Sequence, residues 1–405
     1  MALVVQKYGG TSVATPELIR RVAERIVSRH KQGHRMVVVV SAMGDTTDDM
    51  LALANKVSSR PPDREVDMLL ACGERISMSL LAMAVQDLGV AAVSLTGGQS
   101  GIITDAVHRK ARILDLKPDR LLEELHKDQV LIVAGFQGVT TDAEETTLGR
   151  GGSNLTAVAL AYALKADVCE MNTDVDGIYT ADPRVVPEAC KLSVVTPDEM
   201  LELASAGARV LQSRSVEFAK KYGVVIHVRS SFNENPGTLI KEVEEMEEVV
   251  VRGIAHDLGE AKITMRHVPD RPGVAARLFG PLADKNINVD MIIQNTSEAG
   301  STDLSFTVGK TDLDRALEVC QGIRAELGAD EVVADAQIAK ISVVGVGMRS
   351  HAGVAAGMFQ ALAAANINIH MISTSEIKIS CVVGQPDAEK AVRALHAAFK
   401  LDKSS

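Results

Sequence analysis

Over the first 240 residues, apolar positions fall into two alternating textures. Short continuous runs at Leu3–Gln6, Met36–Val40, Ala91–Leu95, Val130–Ala134, Ala166–Met171 and Val224–Val228 read as strands covered on both faces. Between them lie helical patterns. Glu17–Arg29 alternates apolar and charged residues behind Pro16, a helix begins near Asp48, and Asp67–Leu88 is long and mostly apolar. Leu121–His126 and the Ala-, Leu- and Val-rich Leu155–Leu164 are further helical stretches. Strand, polar loop and helix in repetition are the rhythm of a parallel sheet, so residues 1–240 are expected to form one large α/β domain.

The acidic run from Lys241 to Glu248 marks a boundary, and 241–260 is expected to hold this connector and the first strand of a second region. Beyond it the chain repeats itself. Gly273-Val274-Ala275-Ala276 recurs at Gly353-Val354-Ala355-Ala356, an offset of 80 (353 − 273). Asn286-Ile287-Asn288 recurs at Asn366-Ile367-Asn368 and Met291-Ile292 at Met371-Ile372, with the same offset. Two copies of one unit are expected, at 261–337 and 338–405, each opening strand, loop, helix, strand, strand. Sheets of such units pair, and their seam can hold a small ligand; a dimerisation role is compatible with that.

The chain has 405 residues, 46% of them hydrophobic, no Trp and a net charge of -10, which suits a small-residue α/β protein and disfavours nucleic acid or an anionic membrane as partner. Five scattered cysteines without a C-x-x-C pair argue against zinc or a disulfide framework and fit a reducing cytoplasm. The N-terminus is charged too soon for a signal peptide, and no uninterrupted apolar run has membrane-spanning length.

Candidate chemistry sits at strand ends. Gly149-Arg150-Gly151-Gly152-Ser153-Asn154 precedes a helix, and glycines there let backbone N–H groups and a helix N-terminus approach an anion. Lys7-Tyr8-Gly9-Gly10-Thr11-Ser12 and Ser41-Ala42-Met43-Gly44-Asp45-Thr46-Thr47 are two further anion-friendly loops. The loop from Thr173 to Arg184 combines acids, a tyrosine and an arginine. Glu74 lies in an apolar helix, either solvated or placed to bind an amine. No P-loop run and no protein-kinase catalytic triplet occur, yet glycine loops with a lysine suit phosphoryl transfer, which needs positioning and positive charge.

These segments, with Gly73-Glu74, Thr173-Asp174-Val175-Asp176-Gly177 and the repeated Val268-Pro269-Asp270-Arg271-Pro272-Gly273 and Ser373-Thr374-Ser375-Glu376 region, resemble the aspartate kinases of the amino acid kinase family. The likeness runs through the whole chain in order. It implies an amino acid kinase fold, a mostly parallel sheet between helices, followed by two ferredoxin-like βαββαβ ACT domains. It implies transfer of the ATP γ-phosphoryl group to the side-chain carboxylate of L-aspartate, with Mg2+ carried mostly on ATP oxygens. Lys7 would bridge phosphates beside Gly9 and Gly10. Arg150 would hold a substrate carboxylate in a two-pronged contact, Glu74 the ammonium, and Ser41, Thr47 and Ser153 would add hydrogen bonds. Thr173, Asp174, Tyr179, Arg184 and Arg209 would line the nucleotide site. Asp270, Gln294, Asn295, Asn368 and Ile369 would bind a feedback amino acid, lysine or threonine, at the paired units, which also suggest a homo-oligomer.

Three positions depart from the family pattern. Asn154 replaces an aspartate that orients the lysine, Asn172 stands where a tyrosine is usual, and Arg209 replaces a lysine. Asparagine keeps the shape and a carbonyl acceptor but loses the charge. The alternatives are a sister kinase with another acidic acceptor and an amino-acid-sensing regulatory subunit weakened at Asn154.

Overall fold

A computed structural model describes residues 2–208, 210–243, 250–294, 300–346 and 353–403. They form two compact units. The first takes in the chain to Ile178, Lys191–Ala204 and the stretch up to 243; the second takes Tyr179–Cys190, Ser205–Ala208 and the chain from 250 onward.

The first unit is built on an eight-stranded sheet. Its strands are β1 (Leu3–Tyr8), β2 (Arg35–Val40), β3 (Ala92–Leu95), β4 (Val130–Ala134), β5 (Val168–Thr173), β6 (Val194–Val195), β7 (Ile226–Ser230) and β8 (Thr238–Ile240), in the order β6-β8-β7-β5-β1-β2-β4-β3. All pairs are parallel except β7 with β8. In the central strands nearly every side chain is buried, which is why they read as continuous apolar runs rather than alternating ones. Parallel pairing also brings the carboxyl ends of β1, β2, β4 and β5 to one edge, where ligands bind in open α/β sheets.

Three helices matter for the site. Helix α1 (Pro16–Lys31) starts with proline behind the Thr15 cap and buries Ile19, Val22, Ala23, Ile26 and Val27, one helical stripe. Helix α2 (Asp63–Asp87) is the one described helix long and apolar enough to cross a membrane by composition, but it buries two carboxylates, Asp67 and Glu74, on its inner face. Helix α3 (Gly152–Ala163) is enclosed through Ala161. A smaller sheet of Ile102–Thr104, Ile113–Leu116, Gln137–Val139 and Glu145–Thr147 lies in stretches that the hydrophobic pattern assigns to no strand. Strands of three or four residues carry too few alternations to stand out.

The second unit contains both repeats. In the first, β9 (Glu260–Pro269), α4 (Val274–Asp284), β10 (Val289–Gln294), β11 (Ser301–Gly309), α5 (Leu313–Leu327) and β12 (Glu331–Asp335) make a βαββαβ fold, sheet order β10-β11-β9-β12. The second repeat is not self-contained from 338. Its sheet joins Ile338–Val346, Lys378–Gly384 and Met371–Thr374 to Val250–Asp257, a strand that precedes the first repeat and pairs antiparallel with Ile338–Val346. The first repeat is therefore inserted into the second. A repeat offset cannot show this, because the borrowed strand lies outside the repeated stretch.

The division also departs from a single cut near 240. Tyr179–Cys190 belongs to the second unit because Ala181, Val185 and Val186 are buried in its core. Thr180 Oγ1 lies 3.0 Å from His396 Nε2, and the Arg393 Nε–H donates to the Val185 carbonyl at 2.9 Å. Where the two repeats meet, the Lys340 ammonium donates to Glu260 at 2.8 Å and to Asp290 at 2.5 Å. Lys340 and Glu260 are equivalent repeat positions (340 − 260 = 80), so the pseudo-symmetric unit puts opposite charges at matched places.

Candidate active site

The site is assembled where the strands of the first unit end. Alternation along β1 sets Lys7 on the face opposite Gln6 and Tyr8. A Cβ on Gly9 would lie 3.3 Å from Lys7 Nζ, and one on Gly10 would lie 2.9 Å from the Ala42 carbonyl, so a side chain at Gly10 would separate the first two loops. Those loops are stitched together: the Ser41 N–H donates to the Tyr8 carbonyl and the Gly44 N–H to the Gly10 carbonyl, each at 3.1 Å.

Glu74 reaches the same place from α2. Its Oε1 accepts the Ala42 N–H at 3.1 Å, and its Oε2 is buried with no partner among the described residues. The neighbouring Arg75 pairs with Glu145. Desolvation pushes the Glu74 carboxyl up to about 7 against the opposing pull of that N–H. At 3% exposure it is not a solvated helix glutamate. Desolvation likewise lowers the Lys7 ammonium to about 8, with Asp174 pulling it back up.

The third contributor is the glycine loop. Gly151 has φ +75° as the residue before α3, and a Cβ there would lie 2.0 Å from the Gln212 side chain, so only glycine fits. Arg214 clamps the loop from outside, its guanidinium donating to the carbonyls of Leu148 and Ala111, both at 2.8 Å.

Lys7, Gly10, Ser41, Thr47, Glu74, Arg150, Ser153 and Asn154 together line one cleft of about 250 Å³. Ala42, Gly44, Phe136 and the loop glycines complete its wall. Phe136 left no signal in the sequence beyond following Gly135 at the end of β4. The N-terminal residues of α3 also line the cleft, so the positive end of its dipole favours an anion there.

The remaining candidates are not among the residues that line this cleft. Thr173 and Asp174 follow at the end of β5 in the first unit, their side chains bonded to each other at 2.9 Å. Tyr179 and Arg184 belong to the second unit, where Arg184 holds Asp182 at 2.7 Å. Asp270 follows β9, its N–H donating to the Gly300 carbonyl, while Gln294 ends β10 opposite Leu304. Asn368 is exposed, and Ile369 packs against the second repeat's core. Arg209 and Asn295 lie outside the described residues. Asn172 is buried, and neither of its side-chain amide atoms has a partner among the described residues.

A mostly parallel sheet whose strand ends, loops and flanking helix bring a lysine, an arginine and a buried carboxylate to one cleft suits a small-molecule phosphotransferase, here followed by two repeated units. The amino acid kinase family matches residues 2–230, and two ACT-domain families match 263–321 and 341–399. An aspartokinase of Mycolicibacterium smegmatis is 54% identical over 407 residues, covering 99% of this chain and 97% of that protein. The crystal structure of E. coli aspartokinase III with aspartate and ADP has TM-score 0.83 and 27% identity, covering 98% of this chain and 99% of that one. The same enzyme with lysine and aspartate gives TM-score 0.77, with the same coverage. The chain belongs to the amino acid kinase family, and within it to the aspartokinases.

Proposed function

We propose that the cleft transfers the γ-phosphoryl group of ATP to the side-chain carboxylate of L-aspartate, giving 4-phospho-L-aspartate and ADP. The observation that carries this reading is the shared cleft of Lys7, Arg150 and Glu74, each from a different element. A carboxylate oxygen forms the new bond to phosphorus as the bond to the ADP oxygen breaks. The acceptor is already ionised at neutral pH, so no general base is required. Lys7 offsets the charge that builds on the moving group, beside the amides of Gly9 and Gly10. Arg150 grips a carboxylate of aspartate, Glu74 takes the ammonium, and Ser41, Thr47 and Ser153 add hydrogen bonds. Thr173 and Asp174 serve the nucleotide.

Among the described residues no cluster of three His, Cys, Asp or Glu side chains could hold a metal. Mg2+ would be carried by the nucleotide's own oxygens, where it would reduce charge repulsion between the reactants.

The paired repeats bind a feedback amino acid, with Asp270, Gln294, Asn368 and Ile369 the candidate contacts. The E. coli relative solved with lysine supports lysine as one such effector. The reaction would open the route to lysine, threonine and methionine, in the cytoplasm, in a homo-oligomer joined through the repeats. The test is ATP- and Mg2+-dependent formation of an acyl phosphate, trapped as the hydroxamate and abolished in Lys7→Ala. Absence of aspartyl hydroxamate at saturating substrates would refute it.

A further inference from the structure

Asp67 is fully buried on α2 and is not among the residues that line the cleft. Its carboxylate nevertheless grips the segment that leads into the glycine loop. The Thr147 hydroxyl donates to Oδ1 at 2.6 Å and the Thr147 N–H to Oδ2 at 3.0 Å, three positions before Arg150. The Arg109 N–H donates to both carboxylate oxygens, at 3.1 and 3.0 Å, and His108 Nδ1 lies 2.9 Å from Oδ2. The Arg109 carbonyl in turn backs Gly149, whose Cβ, if present, would lie 2.9 Å from it. Asp67 thus reaches the arginine loop by two routes, through Thr147 and through Arg109.

Seven residues further along the same buried face stands Glu74 (74 − 67 = 7). Two turns of a packed helix form a rigid spacer of about 10 Å. One end holds the loop bearing Arg150, and the other presents the carboxylate that faces the cleft.

The geometry points to Asp67 as a positioning residue that sets the spacing between Arg150 and Glu74, and through it the grip of the cleft on its amino-acid substrate. This rests on the reading of Arg150 and Glu74 as holders of the substrate carboxylate and ammonium. An amino acid carries those charges at a fixed separation, so a loosened loop weakens its grip without touching the nucleotide side. Misplacement by about 1 Å costs up to about 10²-fold in well-oriented sites. We therefore expect about a tenfold rise in KM for aspartate.

The experiment uses the full chain and compares wild type with Asp67→Asn, Thr147→Val, Thr147→Ser and the double variant Asp67→Asn/Thr147→Val. The first two should raise KM for aspartate about tenfold while KM for ATP changes less than twofold. Thr147→Ser, which keeps the hydroxyl, should behave as wild type. The double variant should be no worse than Asp67→Asn alone, since that substitution already weakens the Thr147 route along with the Arg109 route. If Asp67→Asn does not fold, the Thr147 pair carries the test. Equal shifts in both KM values, a lowered melting point with unchanged KM, or a failing Thr147→Ser would overturn the assignment. Wild type that forms no hydroxamate would fault the functional reading instead. Calorimetric titration with aspartate then still tests Asp67: equal Kd in wild type and Thr147→Val would overturn its role.

Discussion

Glu74 offers the most quantitative test of the cleft. Its carboxyl is 3% exposed and is raised to about 7 by desolvation. An ammonium-binding role needs the ionised form. With a pKa of about 7, roughly one-eleventh of the free sites are ionised at pH 6 and roughly ten-elevenths at pH 8, a ratio of about ten. At saturating ATP, kcat/KM for aspartate should therefore rise about tenfold between those values. Glu74→Gln should flatten this limb and lower kcat/KM about 10²-fold, since a desolvated charge-assisted contact contributes about 1.5–3 kcal/mol. The same burial costs stability. The folded pKa lies above the ordinary value of 4.5, so the contribution is fully present below about 4.5 and is lost as pH rises through about 7. The loss is about 3 kcal/mol at pH 8. Ligand-free Glu74→Gln should then melt higher than wild type at pH 8 and alike near pH 4.5. Hydroxamate assays and thermal melts across pH 5–9 decide the matter. A flat wild-type profile, or a variant that melts lower at pH 8, would refute the reasoning.

Lys7 predicts a second limb. kcat/KM for ATP, which reports the free enzyme, should fall above about pH 8 as the desolvated ammonium loses its proton. Asn154→Asp adds a negative charge to the same cleft, so that limb should move up by about one unit and activity at pH 8.5 should rise about threefold. An unchanged limb would show that Asn154 does not act through the lysine. At the seam of the repeats, Lys340→Met should destabilise the protein at pH 8 by about 3–5 kcal/mol in urea unfolding, because it strands a buried carboxylate. Most of that loss falls on Glu260, since Asp290 is 41% exposed and screened by water. It should shrink as pH falls, because burial raises the Glu260 carboxyl and so eases its protonation. A change below about 1 kcal/mol would show that the triad contributes little.

Much of this protein follows from local pattern. Continuous apolar runs announced the buried strands, helical stripes such as Ile19, Val22, Ile26 announced α1, and glycines near Lys7 and beside Arg150 marked loops that line one cleft. The offset of 80 announced two like units. All are signals carried within a few residues, or by self-comparison of the chain. Tertiary structure alone decided the rest, because each point depends on partners distant in sequence. Glu74 and Asp67 look alike as helix carboxylates. One is left with an unpaired oxygen at the cleft, and the other is saturated by Thr147, Arg109 and His108, 80 and about 40 residues away. Val250–Asp257 completes the second repeat's sheet from across the first, and Tyr179–Cys190 packs in a core built mostly after residue 250. Burial and pairing are properties of the closed fold, whereas periodicity and glycine placement are properties of the chain.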